Sequence, residues 1–254
     1  PGNVYTVGYF DSTVDFNQGA GVSYLTSAEA TDVFIMKTDA SGTFIWAKRV
    51  GGPGFEYASS IAVDASGNVY ISGEFNGVAD FDPGAGVFNL TKLVAFQGAA
   101  FLLKLDLSGN FVWAKQFGGN TGTFIINKIL LDASANVFVT GASVYTNDFD
   151  PNAGTVSVVS VYEDAYLLKL TTNGVFSYVK MISSTIAINY AIGMDMEMDP
   201  SGNIFIGGII HGTFDLDPNA GVASFTTLGF GDCFIVKYTA AGNYVWGGIT
   251  GGVT

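Results

Sequence analysis

A lysine recurs at Lys37, Lys104, Lys169 and Lys237, and a large aromatic residue at Trp46, Trp113, Tyr178 and Trp246. Both series advance by 67, 65 and 68 residues. Two markers in step along the whole chain define a tandem repeat, with units starting near residues 2, 67, 135 and 202. Whatever one unit folds into, its neighbours must fold into as well. In the second unit residues 58–64, 69–75, 100–106 and 111–117 alternate apolar and polar side chains or run apolar, and read as four strands. The first of these has counterparts at 126–132 and 193–199. Turns of the type Asp-x-Ser-Gly-Asn separate the strands, with a glycine that supplies a positive φ. Gly42, Gly109, Gly174 and Gly242 hold that place in one turn and Gly67 and Gly202 in the other, where Ala135 stands in the third unit.

The third strand is apolar on both sides: Phe101, Leu103 and Leu105 on one, Leu102 on the other. A strand of that kind lies between two sheets. Tandem four-stranded units, each covered by its neighbours, predict an all-β fold, a β-propeller built of four-stranded antiparallel blades. A β-helix is the alternative, but its coils are much shorter than these repeats. No helical periodicity competes. The 254 residues read as a single β-propeller domain or as a segment of a larger propeller. The chain is four repeats less one strand, which favours the segment over a four-bladed ring with one thin blade.

The stretch GNVYISG at 67–73, the hairpin FLLKLD–SGN–FVWAK at 101–115 and the Gly-Gly that follows resemble the bacterial secreted β-propeller repeat proteins of the seven-bladed repeat type. The resemblance covers essentially the whole chain. It implies a secreted or cell-surface protein, often large and multidomain, in some cases a substrate of the type IX secretion route. Further propeller repeats or a sorting domain in the full-length chain are implied with it. The chain departs from the simple repeat by an inserted Asp loop and by having four units.

The net charge is −12 and the pI about 4.2. Such a balance repels phosphate backbones and anionic membranes, so nucleic acid is not an expected partner. Seven of the ten cations hold repeat positions, since Lys48, Lys115 and Lys180 form a second series, and no basic patch is left. No run of 18 apolar residues occurs, so membrane insertion is not expected. The one cysteine, Cys233, has Val33, Ala100 and Ala165 as counterparts and reads as a small buried hydrophobe, with a reactive thiol as the alternative.

Four candidate features carry chemistry. The first is the loop DFDPGAG at 80–86, repeated as DFDPNAG at 148–154, DLDPNAG at 215–221 and, altered, DFNQGAG at 15–21. Its paired carboxylates, Asp80 with Asp82, Asp148 with Asp150 and Asp215 with Asp217, lie on one side of an extended segment. They could hold Ca²⁺. The simpler reading, favoured here, is that Asp closes a turn and the intervening apolar residue anchors it. The second is Lys128, Asp195 and Glu197, which break the repeat on first strands, the strands that line the central channel of most propellers. Asp195 and Glu197, roughly 6–7 Å apart on one strand, suit glycosidase acid–base work or a polar channel lining. Third, His211 is the only histidine and reads as an exposed loop residue. Fourth, Gly-Gly pairs at 51–52, 118–119 and 251–252 lack the lysine and serine of a phosphate loop and read as turns. No catalytic residue and no cofactor is assigned. The reading is a non-catalytic extracellular module that engages a protein or glycan partner. The alternative is a polysaccharide hydrolase or lyase using Asp195 and Glu197.

Overall fold

Strands this short need their turns fixed locally and their faces covered by the next sheet. A computed structural model describes residues 2–92, 99–118, 122–184, 186 and 188–253. Among these the chain forms twenty-one strands and no helix. It divides into two units, Pro1–Gln116 and Phe117–Thr254.

In the first unit, the first repeat runs β1 (Val4–Phe10), β2 (Thr13–Asp15), β3 (Tyr24–Thr26), β4 (Asp32–Thr38) and β5 (Phe44–Val50). Strands β1, β4 and β5 make a three-stranded antiparallel sheet, and β2 with β3 a separate two-stranded arm. The second repeat runs β6 (Glu56–Val63), β7 (Val69–Phe75), β8 (Gly77–Asp80), β9 (Asn89–Lys92), β10 (Ala99–Leu105) and β11 (Phe111–Phe117). Its sheet has the order β11-β10-β7-β6, with β8 and β9 as the arm. Strand β10 is buried at every residue, as its two apolar sides predict. Val33, Ile35, Ile71, Phe101 and Leu103 meet in the core between these sheets.

In the second unit, the third repeat runs β12 (Thr123–Leu131), β13 (Val137–Asp148), β14 (Ser157–Leu170) and β15 (Phe176–Ile182), the arm being the far end of β13 and β14. The fourth runs β16 (Tyr190–Met198), β17 (Ile204–His211), β18 (Thr213–Asp215), β19 (Ser224–Thr226), β20 (Asp232–Tyr238) and β21 (Tyr244–Thr250). One parallel bridge, Glu163 to Tyr190, joins the two sheets. Phe138, Leu167, Ile206, Phe234 and Val236 form the core. No sheet closes on itself among the described residues.

Each arm leaves its sheet through one residue with positive φ: Ser12 (60°), Gly77 (78°), Tyr145 (60°) and Gly212 (107°). The predicted turns form as the sequence requires. Asp64 Oδ1 accepts the N–H groups of Ser66 and Asn68, both at 2.9 Å, and Asn68 Nδ2 donates to Asp64 Oδ2 at 2.7 Å. Asp106, Asp132 and Asp199 repeat this set. Ala135 takes the left-handed conformation (φ 58°) and makes the bond to the Asp132 carbonyl that Gly67 makes to that of Asp64, both at 2.9 Å.

The repeating lysine has a shared seat. Lys37, Lys104, Lys169 and Lys237 lie 5.0, 4.8, 4.7 and 4.8 Å from the ring centres of Tyr5, Tyr70, Phe138 and Phe205 on the second strand of their own sheets. Lys37 Nζ also donates to the Leu107 carbonyl of the following repeat at 3.0 Å, and Lys169 to that of Ala240 at 3.4 Å.

Two expectations are corrected. Cys233 is exposed rather than buried. Ile235 on the same side of β20 is 45% exposed, where its counterparts Ile35, Leu102 and Leu167 are fully buried, so no sheet covers this face among the described residues. Gly51 and Gly52 are a contact, not a turn. Gly51 bridges to Asp80 through two 3.0 Å backbone bonds, and a Cβ on Gly52 would strike the backbone of Val78 and Ala79. Gly119 of a second pair lies outside the described residues.

Two buried acids lie side by side in the first unit. Asp32, fully buried, is ion-paired to Arg49, and Glu56, also fully buried, lies beside it and accepts the Gly52 N–H at 2.9 Å. Burial and the neighbouring Asp32 charge push the Glu56 carboxyl up to about 7, against the opposing pull of the Gly52 bond.

Stability is therefore expected to have two pH limbs. Glu56 titrates higher folded than unfolded, so its contribution is full below about pH 4.3 and is lost as pH rises through about 7. The turn carboxylates behave oppositely. Side-chain and backbone bonds from Asn68 and Asn110 outweigh burial and lower Asp64 and Asp106, and the Asn203 bonds with Lys237 lower Asp199. Their contribution is present above about pH 3.9 and lost as pH falls further. Urea titrations should find greatest stability near pH 4–5, with Glu56→Gln reducing the neutral limb, to which burial of Glu74, Glu163 and Asp164 also contributes, and leaving the acid limb. Ala135→Gly should raise stability by several tenths to about 1 kcal/mol, since Ala pays for the left-handed turn and Gly does not; a less stable variant would refute it.

Candidate functional site

The Asp loop is a turn in all four copies. Asp80 Oδ1 accepts the N–H groups of Asp82 (3.0 Å) and Phe88 (2.8 Å), and Asp82 Oδ1 that of Gly84 (2.8 Å). Asp148 and Asp215 bond Asp150 with Val156 and Asp217 with Ala223 in the same way. Asp150 and Asp217 in turn accept from the backbone of Asn152 and Asn219. In the first copy Asp15 does the work of Asp80, and Asn17 Oδ1 accepts the Gly19 N–H at 2.9 Å just as a carboxylate would. Phe81, Phe149 and Leu216, between the two acids, are fully buried, and Phe16 is 8% exposed. The closing glycine is there because a Cβ on Gly86, Gly154 or Gly221 would land on the second oxygen of Asp82, Asp150 or Asp217. A Ca²⁺ ion takes six to eight oxygens. Among the described residues no three His, Cys, Asp or Glu side chains converge as a metal site would need.

Lys128 and Asp195 meet, Nζ to Oδ1, at 2.8 Å, and Asn127 Nδ2 donates to the Gly193 carbonyl at 2.8 Å. These contacts join the first strands of the third and fourth repeats. Glu197 lies on the same exposed side of β16, Met196 between them being buried. The Lys128 ammonium holds the Asp195 carboxyl below the usual range. A glycosidase acid needs the reverse, a carboxyl raised so that it keeps its proton.

The built site lies where the sequence pointed only to an exposed loop histidine. His211 is instead the half-buried last residue of β17. Its Nδ1 lies 3.1 Å from the Gly229 carbonyl oxygen, which only accepts, so Nδ1 carries the proton. The Phe230 ring stacks on His211 at 4.5 Å and 10°, and Tyr190 lies at 5.6 Å and 33° on the histidine. With Tyr162 and Ile188 these three line a cleft of about 420 Å³ within the second unit. The Phe230 loop is held by Asp232, whose Oδ2 accepts the Leu228 N–H at 2.8 Å, and by Thr227, whose hydroxyl accepts the Gly212 N–H at 2.9 Å. Its first-repeat counterpart is closed the same way, Asp32 accepting the Ala28 N–H at 2.9 Å, but carries Ala30 in place of Phe230 and Asp11 in place of His211. The signal was readable, since two aromatic rings replace small or acidic residues at framework positions. A groove of about 510 Å³ between residues 17–21 and 41–44 of the first repeat is lined by glycine and polar groups only, apart from Ala20 and Phe44.

Residues 45–82 match the model of the Beta-propeller repeat family (SBBP), across the fourth strand of one repeat and most of the first half of the next. The chain has the all-β repeat fold of a β-propeller. It is 23% identical over 218 residues to an uncharacterized WD repeat-containing protein of Acanthamoeba polyphaga mimivirus, covering 76% of this propeller chain and 15% of that protein. This chain thus spans about 15% of that relative's length. A solved protein of unknown function from Bacteroides caccae aligns over 98% of the propeller chain and 94% of its own at 10% identity, with a TM-score of 0.24, too low to carry any reasoning.

Turn-making in the Asp loop makes a definite expectation. Asp80→Ala strands two N–H groups and should cost about 1–3 kcal/mol. Asp82→Asn should melt within a degree or two of wild type, because Asn17 already fills that place, and Ca²⁺ or EDTA should move neither melting curve. A calcium-dependent rise abolished by Asp80→Asn with Asp82→Asn would instead establish a metal site.

Proposed function

We propose that this propeller is a non-catalytic interaction module of a secreted or cell-surface bacterial protein, and that it engages a protein or glycan partner through the aromatic cleft at His211. One observation carries this reading: Phe230 is 85% exposed yet held by a closed loop and stacked on a strand residue. An apolar ring fixed in water without a core to fill is what a recognition surface requires. The secreted, bacterial setting rests on the sequence motifs GNVYISG and FLLKLD–SGN–FVWAK. Further propeller repeats or a sorting domain would belong to the full-length protein, in keeping with a relative much longer than this chain. The hydrolase or lyase alternative has less support, because Asp195 is paired to Lys128 and kept ionised.

An isotope-labelled chain titrated with a panel of soluble oligosaccharides and peptides tests the reading by NMR. At least one member should shift the amide signals of residues 188–190, 211 and 228–231, with the shifts lost in Phe230→Ala. No reducing ends should be released from the oligosaccharides. Shifts confined to other surfaces, or turnover that stops in Asp195→Asn, would overturn it.

A further inference from the structure

Resting on the reading of the cleft as a binding site, we infer that it takes the ring of an uncharged pyranose sugar, packed among Tyr162, Tyr190 and the exposed Phe230 ring and oriented by the free nitrogen of His211. The first ground is shape. Tyr190, His211 and Phe230 form one run of rings, and the outer ring is open to solvent. A pyranose has a flat side of polarised C–H groups that suits the negative face of an aromatic ring. The volume, about 420 Å³, is at the small end of the ligand-pocket range of roughly 300–1,000 Å³. That is room for one ring.

The second ground is polarity. Nδ1 of His211 is committed to the Gly229 carbonyl, so Nε2 is the atom the imidazole offers to a ligand hydroxyl. Tyr162 and Tyr190 also line the cleft, and each carries a hydroxyl that both donates and accepts. Each sugar hydroxyl also does both.

The third ground is charge. No aspartate, glutamate, lysine or arginine lines the cleft or the shallower hollow beside it, so apart from the imidazole of His211 an ionic ligand finds no counter-ion there. The net charge of −12 further opposes uronates, sugar phosphates and nucleotides.

A peptide is the competing occupant, and the backbone argues against it. Peptides commonly add a strand to an open sheet edge. Beside the cleft β17 pairs with β16 through His211 and with β20 through Ile210, and Tyr190 of β16 pairs both His211 and Glu163. No free ladder edge is presented there among these strands.

Calorimetry on the whole chain tests the inference with the methyl glycosides of glucose, galactose, mannose and N-acetylglucosamine. Glucuronate, glucose 6-phosphate and a tryptophan-containing tripeptide are run beside them. At least one uncharged glycoside should bind, at least tenfold more tightly than the charged sugars. Phe230→Ala should weaken it tenfold or more with an unchanged melting curve, since that ring is exposed. His211→Phe keeps a ring in the stack but removes the nitrogen, and should weaken binding severalfold and narrow the preference among the glycosides. Charged sugars binding as well as uncharged ones would overturn the inference. Tripeptide binding sensitive to Phe230→Ala would also overturn it, while leaving the cleft a binding site. No binding to the cleft by any probe would remove both.

Discussion

An ammonium group held over an aromatic ring recurs at one position of every repeat. Apolar faces alone would hold two stacked sheets together, but such contacts are non-directional and tolerate sliding. In the first and third repeats the lysine on the third strand limits that freedom. Its charge sits over a ring of its own sheet, and in the first and third repeats it also reaches a carbonyl in the turn of the next. A buried charge is tolerated only where such partners exist. Glycines at the receiving turns, Gly109 and Gly242, lie against the stems of Lys48 and Lys180 from the preceding repeat. The two lysine series are thus one device, seen from the third and fourth strands. The repeat length follows from it, since the lysine, its ring and the receiving turn must recur together.

Much of this was legible because it is local. Strands at 69–75 and 111–117 fall where the alternating pattern puts them, and Ala135 adopts the backbone its glycine counterparts require. What the sequence concealed depends on neighbours. Cys233 has the same local context as Val33, Ala100 and Ala165, and what separates it from them is that no sheet covers its face among the described residues. The Asp loop was recognisable as a turn with a short arm beside it, but the pairing of that arm into a hairpin was not, because two-residue runs such as Val78-Ala79 are too short to show a period. Gly77 and Gly212 hinted at the left-handed exit into the arm, whereas Ser12 and Tyr145 hid it.

The cleft shows how a specific site arises on a repeated frame. Asp232 and Asp32 close equivalent loops with equivalent bonds, and the difference is what the loop presents. The frame supplies a rigid presentation at every repeat. Changes at positions 211 and 230, with Tyr162 and Tyr190 beside them, convert one such place into a cavity with an aromatic floor. Lys128 and Asp195 also depart from the repeat, but their departure is spent on each other.

The bridge between Gly51 and Asp80 gives the chain a direction. Gly51 closes the last strand of the first repeat, yet its backbone partner belongs to the arm of the second. The Lys37 bond to Leu107 has the same sense, from an earlier repeat to a later one. A repeat emerging from the ribosome therefore waits with unpaired backbone groups and an unplaced charge until about one further repeat has been synthesised. At 5–20 residues per second that interval lasts roughly 3–13 seconds for a repeat of 67 residues. During that interval the Gly51 backbone and the Lys37 ammonium are open to any other chain within reach, so the tempo of translation bears on whether the repeats stack in order.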